Sequence, residues 1–355
     1  MNSILKSIHE EALAEYELHY KKEYTIGRVI TEYKHIYRVL TANGEFLCEL
    51  SGRFRFNSCS QEDYPAVGDW VVLSERSRES KGTLHAVLPR KSKFSRLKAG
   101  TEPGEQIIAV NVDYIFIVLS LNVDFNIRRL ERYLISVWES GASPVIVLNK
   151  ADLCEDIGQK LIELEAVTFG VPIMVMSALF EEGHVKILEF LKEGKTGVFT
   201  GSSGVGKSTL INALVGDSIQ KIGSIRCDDD KGKHATTHRE LFILQNGANI
   251  IDIPGMREFG LWESEEGLTE SFKDIEELAG SCYYSDCQHK QEPGCAVIHA
   301  IETGTIEEGR LKNYQKLQRE KEYLERKTNK SRQIAEKNKY KKLNKDLRNK
   351  PYKKR

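Results

Sequence analysis

No apolar run in this chain approaches the roughly 18 residues that a membrane-crossing helix needs. The best, "YIFIVLSL" at 114–121, has the length of a buried strand. The stretch "MNSILKSIHEEALAEYELHY" lacks the uninterrupted apolar core of a signal peptide and reads as an amphipathic helix within 1–23. A cytoplasmic protein with no membrane partner is the expectation. Cysteine is scarce and odd in number, seven in 355 residues, which argues against a complete disulfide framework. Net charge is missing too, with 52 Lys+Arg against 52 Asp+Glu, and no internal repeat is present. The cancellation hides a polarity. Residues 311–355 hold 18 Lys+Arg against 5 Asp+Glu, a surplus of 13, leaving 34 basic against 47 acidic in the remainder. Such a polycationic tail is either a solvated helix or a nucleic-acid contact.

What is present has the length and composition of two or three globular domains. Residues 24–92 read as short strands with glycine-bearing turns: "YTIGRVITEY", "HIYRVLTANGEFLCELSG", "RFRFNS", "AVGDWVVLSE" and "GTLHAVLPR". That pattern predicts a small barrel, of which an OB-type barrel is one candidate. Arg53, Phe54, Arg55 and Phe56 interleave side chains suited to phosphates and bases, or else form a period-two strand with both Phe inward and both Arg in water. Residues 93–108 are polar, with Pro and Gly, and read as a linker. Beyond it strands and helices alternate: strand 112–121, helix 127–140, strand 144–149, helix 156–168, strand 172–177, helix 184–193, strand 196–200, helix 207–215. This is the rhythm of a doubly wound α/β sheet, with its domain over 109–265.

Within that domain "GVFTGSSGVGKSTLINALVG" is a strand, a loop and a helical run. Gly201, Gly206, Lys207 and Ser208 fit G-x-x-x-x-G-K-[ST] in the context that confirms a phosphate-binding loop. Gly201, Ser202, Ser203, Gly204, Val205 and Gly206 would bring backbone N–H groups to the phosphates at a helix N-terminus. In the following turn, of Lys207, Ser208 and Thr209, Lys207 would bridge the β- and γ-phosphates and the Ser208 hydroxyl would bind Mg²⁺. The base is read elsewhere. Asn149-Lys150-Ala151-Asp152 ends an apolar run. Asp152 can accept from guanine N1–H and the exocyclic amine, Asn149 can bond N7, and the Lys150 stem can lie along the base. Adenine would leave the carboxylate unpaired. Ser177-Ala178, at another strand end, could offer a backbone N–H to guanine O6. After the loop, "KGKHATTHREL" holds Thr236 and Thr237, candidates for a switch threonine on Mg²⁺. "ANIIDIPGMREFG" ends in Asp252-x-x-Gly255, whose carboxylate would hold Mg²⁺ through water and whose glycine would sense the γ-phosphate. All five elements of a GTPase are therefore present, but the base reader precedes the phosphate loop. The order predicts a circularly permuted P-loop GTPase domain, a rearrangement tolerated when termini lie close together.

Cys282, Cys287, His289 and Cys295 crowd into "CYYSDCQHKQEPGC". Three thiolates and an imidazole suit one tetrahedral, structural Zn²⁺ with no open position. So small a segment, within 266–318, is expected to fold only with its metal. The scattered Cys48, Cys59, Cys154 and Cys227 are core or surface residues.

These stretches, with "LPRKSKFSR", "IIAVNVDYIFIV", "RRLERYL", "HATTHREL", "DIPGMREFGLW" and "CQHKQEPGCAV", resemble the ribosome small-subunit-dependent GTPase A family over nearly the whole chain. The resemblance implies an N-terminal OB-type barrel that binds RNA, a permuted GTPase core and a mainly helical zinc-binding domain, beyond which the sequence itself adds a basic tail over 319–355. It implies as partners the 30S subunit with its 16S rRNA, GTP and GDP, and a monomeric chain. The implied activity is slow GTP hydrolysis, stimulated by the 30S subunit in its late maturation; the alternative is a GTP-gated RNA-binding factor in which hydrolysis is incidental. Two departures stand out: the first switch threonine is replaced, and the N-terminal helix before Tyr24 and the long basic tail look longer than the family core requires, so their roles do not carry over. The family commonly has three threonines after the switch histidine, whereas Ala235 fills the first place here. The slot after Asp-x-x-Gly, which holds a water-orienting Gln in Ras-like enzymes, holds Met256. His234 is accordingly the candidate that completes the site when the ribosome orders the loop.

Overall fold

The computed structural model describes residues 6–34, 36–58, 60–97, 105–121, 125–168, 170–178, 182–216, 239–253, 266–323 and 325–326. They fall into two compact units, one containing residues up to Arg96, Gln106–Gly260 and Glu266–Ser271, the other Leu97–Glu105, Leu261–Glu265 and Phe272–Arg355. Among the described residues no helix is long and apolar enough to cross a membrane.

The first unit is organised by one 11-stranded sheet whose two ends do different things. At one end β1 (Thr25–Tyr33), β2 (Ile36–Thr41), β3 (Gly44–Leu50), β4 (Trp70–Arg76) and β5 (Lys81–Val87) close on themselves in the order β1-β2-β3-β5-β4-β1. β3 and β5 are parallel and the other pairs antiparallel, the arrangement of an OB-type barrel. The alternation in β3 turns Phe46, Cys48 and Leu50 into the barrel core beside Val39, Val71 and Leu84. Gly27 is required for closure, because a Cβ there would stand 2.5 Å from Val39 Cγ1.

Two expectations differ from the structure here. "RFRFN" is not a strand but part of the short helix α2 (Gly52–Asn57), started by the Ser51 hydroxyl, which accepts from Phe54 N at 3.1 Å. Only Phe54 turns inward, edge-on to Tyr64, while Phe56 is 89% exposed. The stretch read as a linker holds β6 (Lys93–Leu97) and β7 (Glu105–Val110), which pair as a two-stranded ribbon. Its anchors are apolar: Phe94 and Ile108 are fully buried among polar neighbours that gave the stretch its loop-like composition.

The other end of the sheet runs β10-β9-β8-β11-β13-β12. β8 (Tyr114–Ser120), β9 (Ser143–Asn149), β10 (Ile173–Val175), β11 (Thr196–Thr200) and β13 (Asn249–Asp252) are parallel, and β12 (Glu240–Ile243) is antiparallel to β13. Their near-continuous burial is what a sheet covered on both faces requires. Helices α3 (Ile127–Glu139), α4 (Ile157–Glu165), α5 (Glu182–Phe190) and α6 (Lys207–Gly216) connect them, within a few residues of the spans the periodicity predicts. β12 joins the two ends through Thr31↔Glu240 on β1, which carries a register shift between Val29 and Thr31. A fully buried Arg28 ties the same junction, donating to Ser7 Oγ and Thr196 Oγ1 at 2.9 Å and to the Asn111 and Gly68 carbonyls at 3.3 Å. The N-terminal helix α1 (Glu10–His19) is shorter than expected and buries Ala12 against this unit.

The second unit is mainly helical. α7 (Lys273–Ala279), α8 (Ala296–Glu302) and a helix over 308–323 pack around Phe272, Ile275, Val297 and Leu317. Arg310, 3% exposed, grips Asp274 with two bonds of 2.7 Å.

Candidate nucleotide site and metal cluster

The C-terminal ends of β9, β10 and β11 deliver three motifs to one place, the crevice where open α/β sheets bind ligands. Their common point is Asn149, the last residue of β9 and 1% exposed. Its amide nitrogen donates to the Val205 carbonyl at 2.7 Å, and its amide oxygen accepts from Ala178 N at 2.8 Å. The side chain thus binds the phosphate loop to the Ser177-Ala178 segment, and one amide hydrogen is left over. The Ala178 N–H that the sequence offers to guanine O6 is donated to Asn149 here. Ser177 Oγ is buried with no hydrogen-bond partner among the described residues. Lys150 adopts a left-handed backbone (φ 61°), which turns the chain into the short 3-10 segment Ala151–Leu153 and leaves Asp152 exposed.

β11 runs straight into the phosphate loop. Gly206 has φ 99°, and a Cβ there would stand 2.2 Å from Asn149 Nδ2, so glycine at the loop's end is fixed by the buried Asn149 amide as well as by its backbone. Lys207 folds back over the loop, its Nζ donating to the carbonyls of Gly201 (2.7 Å) and Ser202 (2.6 Å). Burial pulls its ammonium down to about 8, with the Asp252 carboxylate opposing that fall. Asp252 ends β13, and Ser208 and Thr209 are exposed on the first turn of α6. Ser203 and Gly204 are exposed at the loop's tip and Val205 is buried beneath it. His234, Thr236, Thr237, Gly255 and Met256 lie outside the described residues.

No motif assigns a role to α3, yet its Arg129 Nη1 donates to Ser202 Oγ at 2.7 Å, and the Tyr133 hydroxyl is hydrogen-bonded to the same serine. The signal available was the spacing of four inside "RRLERYL", which puts both side chains on one helix face.

In the second unit Cys282, Cys287, His289 and Cys295 bring their ligand atoms within 4.8 Å of one another. Around a tetrahedral ion with M–S about 2.3 Å and M–N about 2.05 Å, the edges are about 3.8 Å for S···S and about 3.6 Å for S···N. The separations are 3.9 Å for Cys282 Sγ to Cys295 Sγ, and 3.7 and 3.4 Å from these sulfurs to His289 Nδ1. Sulfurs 3.9 Å apart are not a disulfide; the cluster can hold a metal ion. The loop is wound for the purpose. His289 has φ 54°, and the Glu292 carboxylate accepts from the backbone N–H groups of Gln288, Lys290 and Gln291. Gln315 donates to the His289 carbonyl at 3.1 Å.

The sequence model of a family described as "RsgA GTPase" matches residues 87–262, and that of a "50S ribosome-binding GTPase" family matches 196–335. The second match begins at β11, after the base reader. The "Small ribosomal subunit biogenesis GTPase RsgA 1" of Oceanobacillus iheyensis is 48% identical over 90% of this chain and 91% of its own length. Among solved structures, that titled "Crystal structure of YjeQ from Thermotoga maritima" superposes with a TM-score of 0.63 at 28% identity, covering 84% of this chain and 98% of that one. A second, titled "The crystal structure of YloQ, a circularly permuted GTPase", gives 0.61 at 28% identity over 86% and 97%.

Proposed function

The chain belongs to the RsgA GTPase family, and we propose that it binds the 30S ribosomal subunit and hydrolyses GTP to GDP and phosphate during late maturation of that subunit. The observation that carries the reading is Asn149, whose amide joins three motifs separated along the chain into one pocket. In this reading Asp152 reads the guanine edge, with the Lys150 stem along the base and Ser177-Ala178 beside it. Gly201 to Gly206 cradle the phosphates and Lys207 spans the β- and γ-groups. Ser208 and Thr237 would hold Mg²⁺, Asp252 would support it through water, and Gly255 would sense the γ-phosphate. His234 would position the attacking water when the ribosome is bound, a task that Met256 cannot perform by hydrogen bonding.

The metal of the second unit is one structural Zn²⁺. Three thiolates and an imidazole with no open position favour it over a catalytic ion. The barrel and the basic residues beyond 319 contact 16S rRNA, and the protein works as a cytoplasmic monomer. The name of the full-length relative supports the small subunit as partner. The 50S description belongs to a family whose match omits both the barrel and the base reader.

Co-sedimentation tests the partner. With a non-hydrolysable GTP analogue the protein should pellet with purified 30S and not with 50S, and GDP should release it. Pelleting with 50S alone would transfer the second family's description to this chain.

A further inference from the structure

Ser202, the second residue of the phosphate loop, is held from outside the loop by α3. Arg129 Nη1 reaches its Oγ at 2.7 Å and the Tyr133 hydroxyl bonds the same group. A serine hydroxyl has one donor and two acceptor positions, enough for both partners. Both partners start from an ordered helix, Arg129 with an exposed side chain and Tyr133 with a buried one. Arg129 lies in the first turn of α3, where Asn126 Oδ1 caps the helix by accepting from Arg129 N at 3.0 Å. Tyr133 is 3% exposed, packed in the core alongside Leu130 and Leu134. The serine they hold matters for another reason. Its carbonyl is one of the two that receive Lys207 Nζ, so fixing Ser202 fixes the direction of the lysine.

We propose that Arg129 and Tyr133 are positioning residues for the GTPase reaction: by holding Ser202 they keep the loop and the Lys207 ammonium in place before the triphosphate arrives. The inference rests on the reading of 201–209 as the phosphate loop. A loop already formed loses less conformational freedom on binding, and that saving appears as affinity. Because the phosphates are gripped in ground and transition states alike, kcat/KM should fall more than kcat when the hold is removed.

The test uses the full chain, with fluorescent GDP and GTP analogues for affinity and steady-state hydrolysis for rate. Arg129→Ala should weaken both nucleotides roughly fivefold, the loss of one modest hydrogen bond. Arg129→Lys, which keeps a donor, should recover most of that loss. Tyr133→Phe keeps the ring packing and should give a smaller loss in the same direction, with the thermal midpoint of the nucleotide-free protein unchanged. In a double-mutant cycle, Arg129→Ala should add nothing once Ser202→Ala is present. Additive losses in that cycle, or Arg129→Ala affinity within twofold of the parent, would overturn the proposal. Lys207→Ala separates the two levels: nucleotide binding untouched by it would defeat the phosphate-loop reading itself. A strong loss there alongside silent Arg129 and Tyr133 variants would defeat only the positioning role.

Discussion

Lys207 illustrates how much of the site's chemistry is set by burial around one atom. Its ammonium is pulled down to about 8 by desolvation, with Asp252 opposing. Near pH 8 the nucleotide-free protein therefore holds the lysine about half neutral, whereas a bound triphosphate favours the charged form. Nucleotide binding should take up on the order of half a proton at pH 8, and affinity should fall as pH rises through and above that value. Calorimetry in two buffers of different ionisation enthalpy measures this directly, and zero uptake would contradict the environment described. For folding the sign is separate. Between about 8 and the ordinary 10.5 the unfolded chain binds more protons at this residue, so its contribution to the stability of the nucleotide-free protein rises with pH across that window. Asn149 is a second case. The sequence marks it as a reader of guanine, and the structure spends both ends of its amide inside the protein. A buried amide deprived of such partners costs about 1–3 kcal/mol, so its replacement would loosen the phosphate loop as well as the base site.

At the scale of elements, the 280–295 segment is where the proposed zinc would matter, since it has no secondary structure of its own to hold it. It contains turns and bends with no helix or strand, knit by Glu292 and by the four ligand residues. Stripping the metal with a chelator should expose Cys282, Cys287 and Cys295 to a thiol reagent and release the loop, while GTP binding by the first unit persists. Thiols equally reactive before and after chelation would contradict a metal-held loop. Most elements were legible from the sequence because their apolar periods are clean: the helix expected at 127–140 is Ile127–Glu139, and the strand expected at 144–149 is Ser143–Asn149. Arg-Phe-Arg-Phe misled because over six residues an alternation fits a short capped helix as well as a strand, and Ser51 decides the matter locally. The β6–β7 ribbon was hidden because its anchors, Phe94 and Ile108, are diluted among polar residues. No local pattern could have announced Arg28, whose partners come from residues 7, 68, 111 and 196. "AVGDWV" and "LPRKSKFSR", by contrast, lie apart in the sequence, and the structure makes them partners: buried Asp69 takes two bonds from Arg90, at 2.8 and 2.6 Å.

Across the whole molecule, the pairing of the GTPase sheet with the barrel has a mechanical consequence. The segment carrying His234, Thr236 and Thr237 leads directly into β12, and β12 is bonded to the barrel strand β1 at Thr31↔Glu240. Around that bond Arg38 reaches Glu240 at 3.4 Å, and Arg239 donates to the Ile107 carbonyl at 2.7 Å. If that segment acts as the proposed switch, its response to nucleotide would have a covalent and hydrogen-bonded route to the barrel, the part proposed to touch RNA. By reciprocity, a ribosome that favours one barrel arrangement would favour one nucleotide state. Steady-state GTP hydrolysis, measured alone, with purified 30S and with 50S, tests this account most directly. It predicts slow turnover alone, strong stimulation by 30S, and none by 50S. Turnover unchanged by 30S, with GTP binding intact, would contradict it.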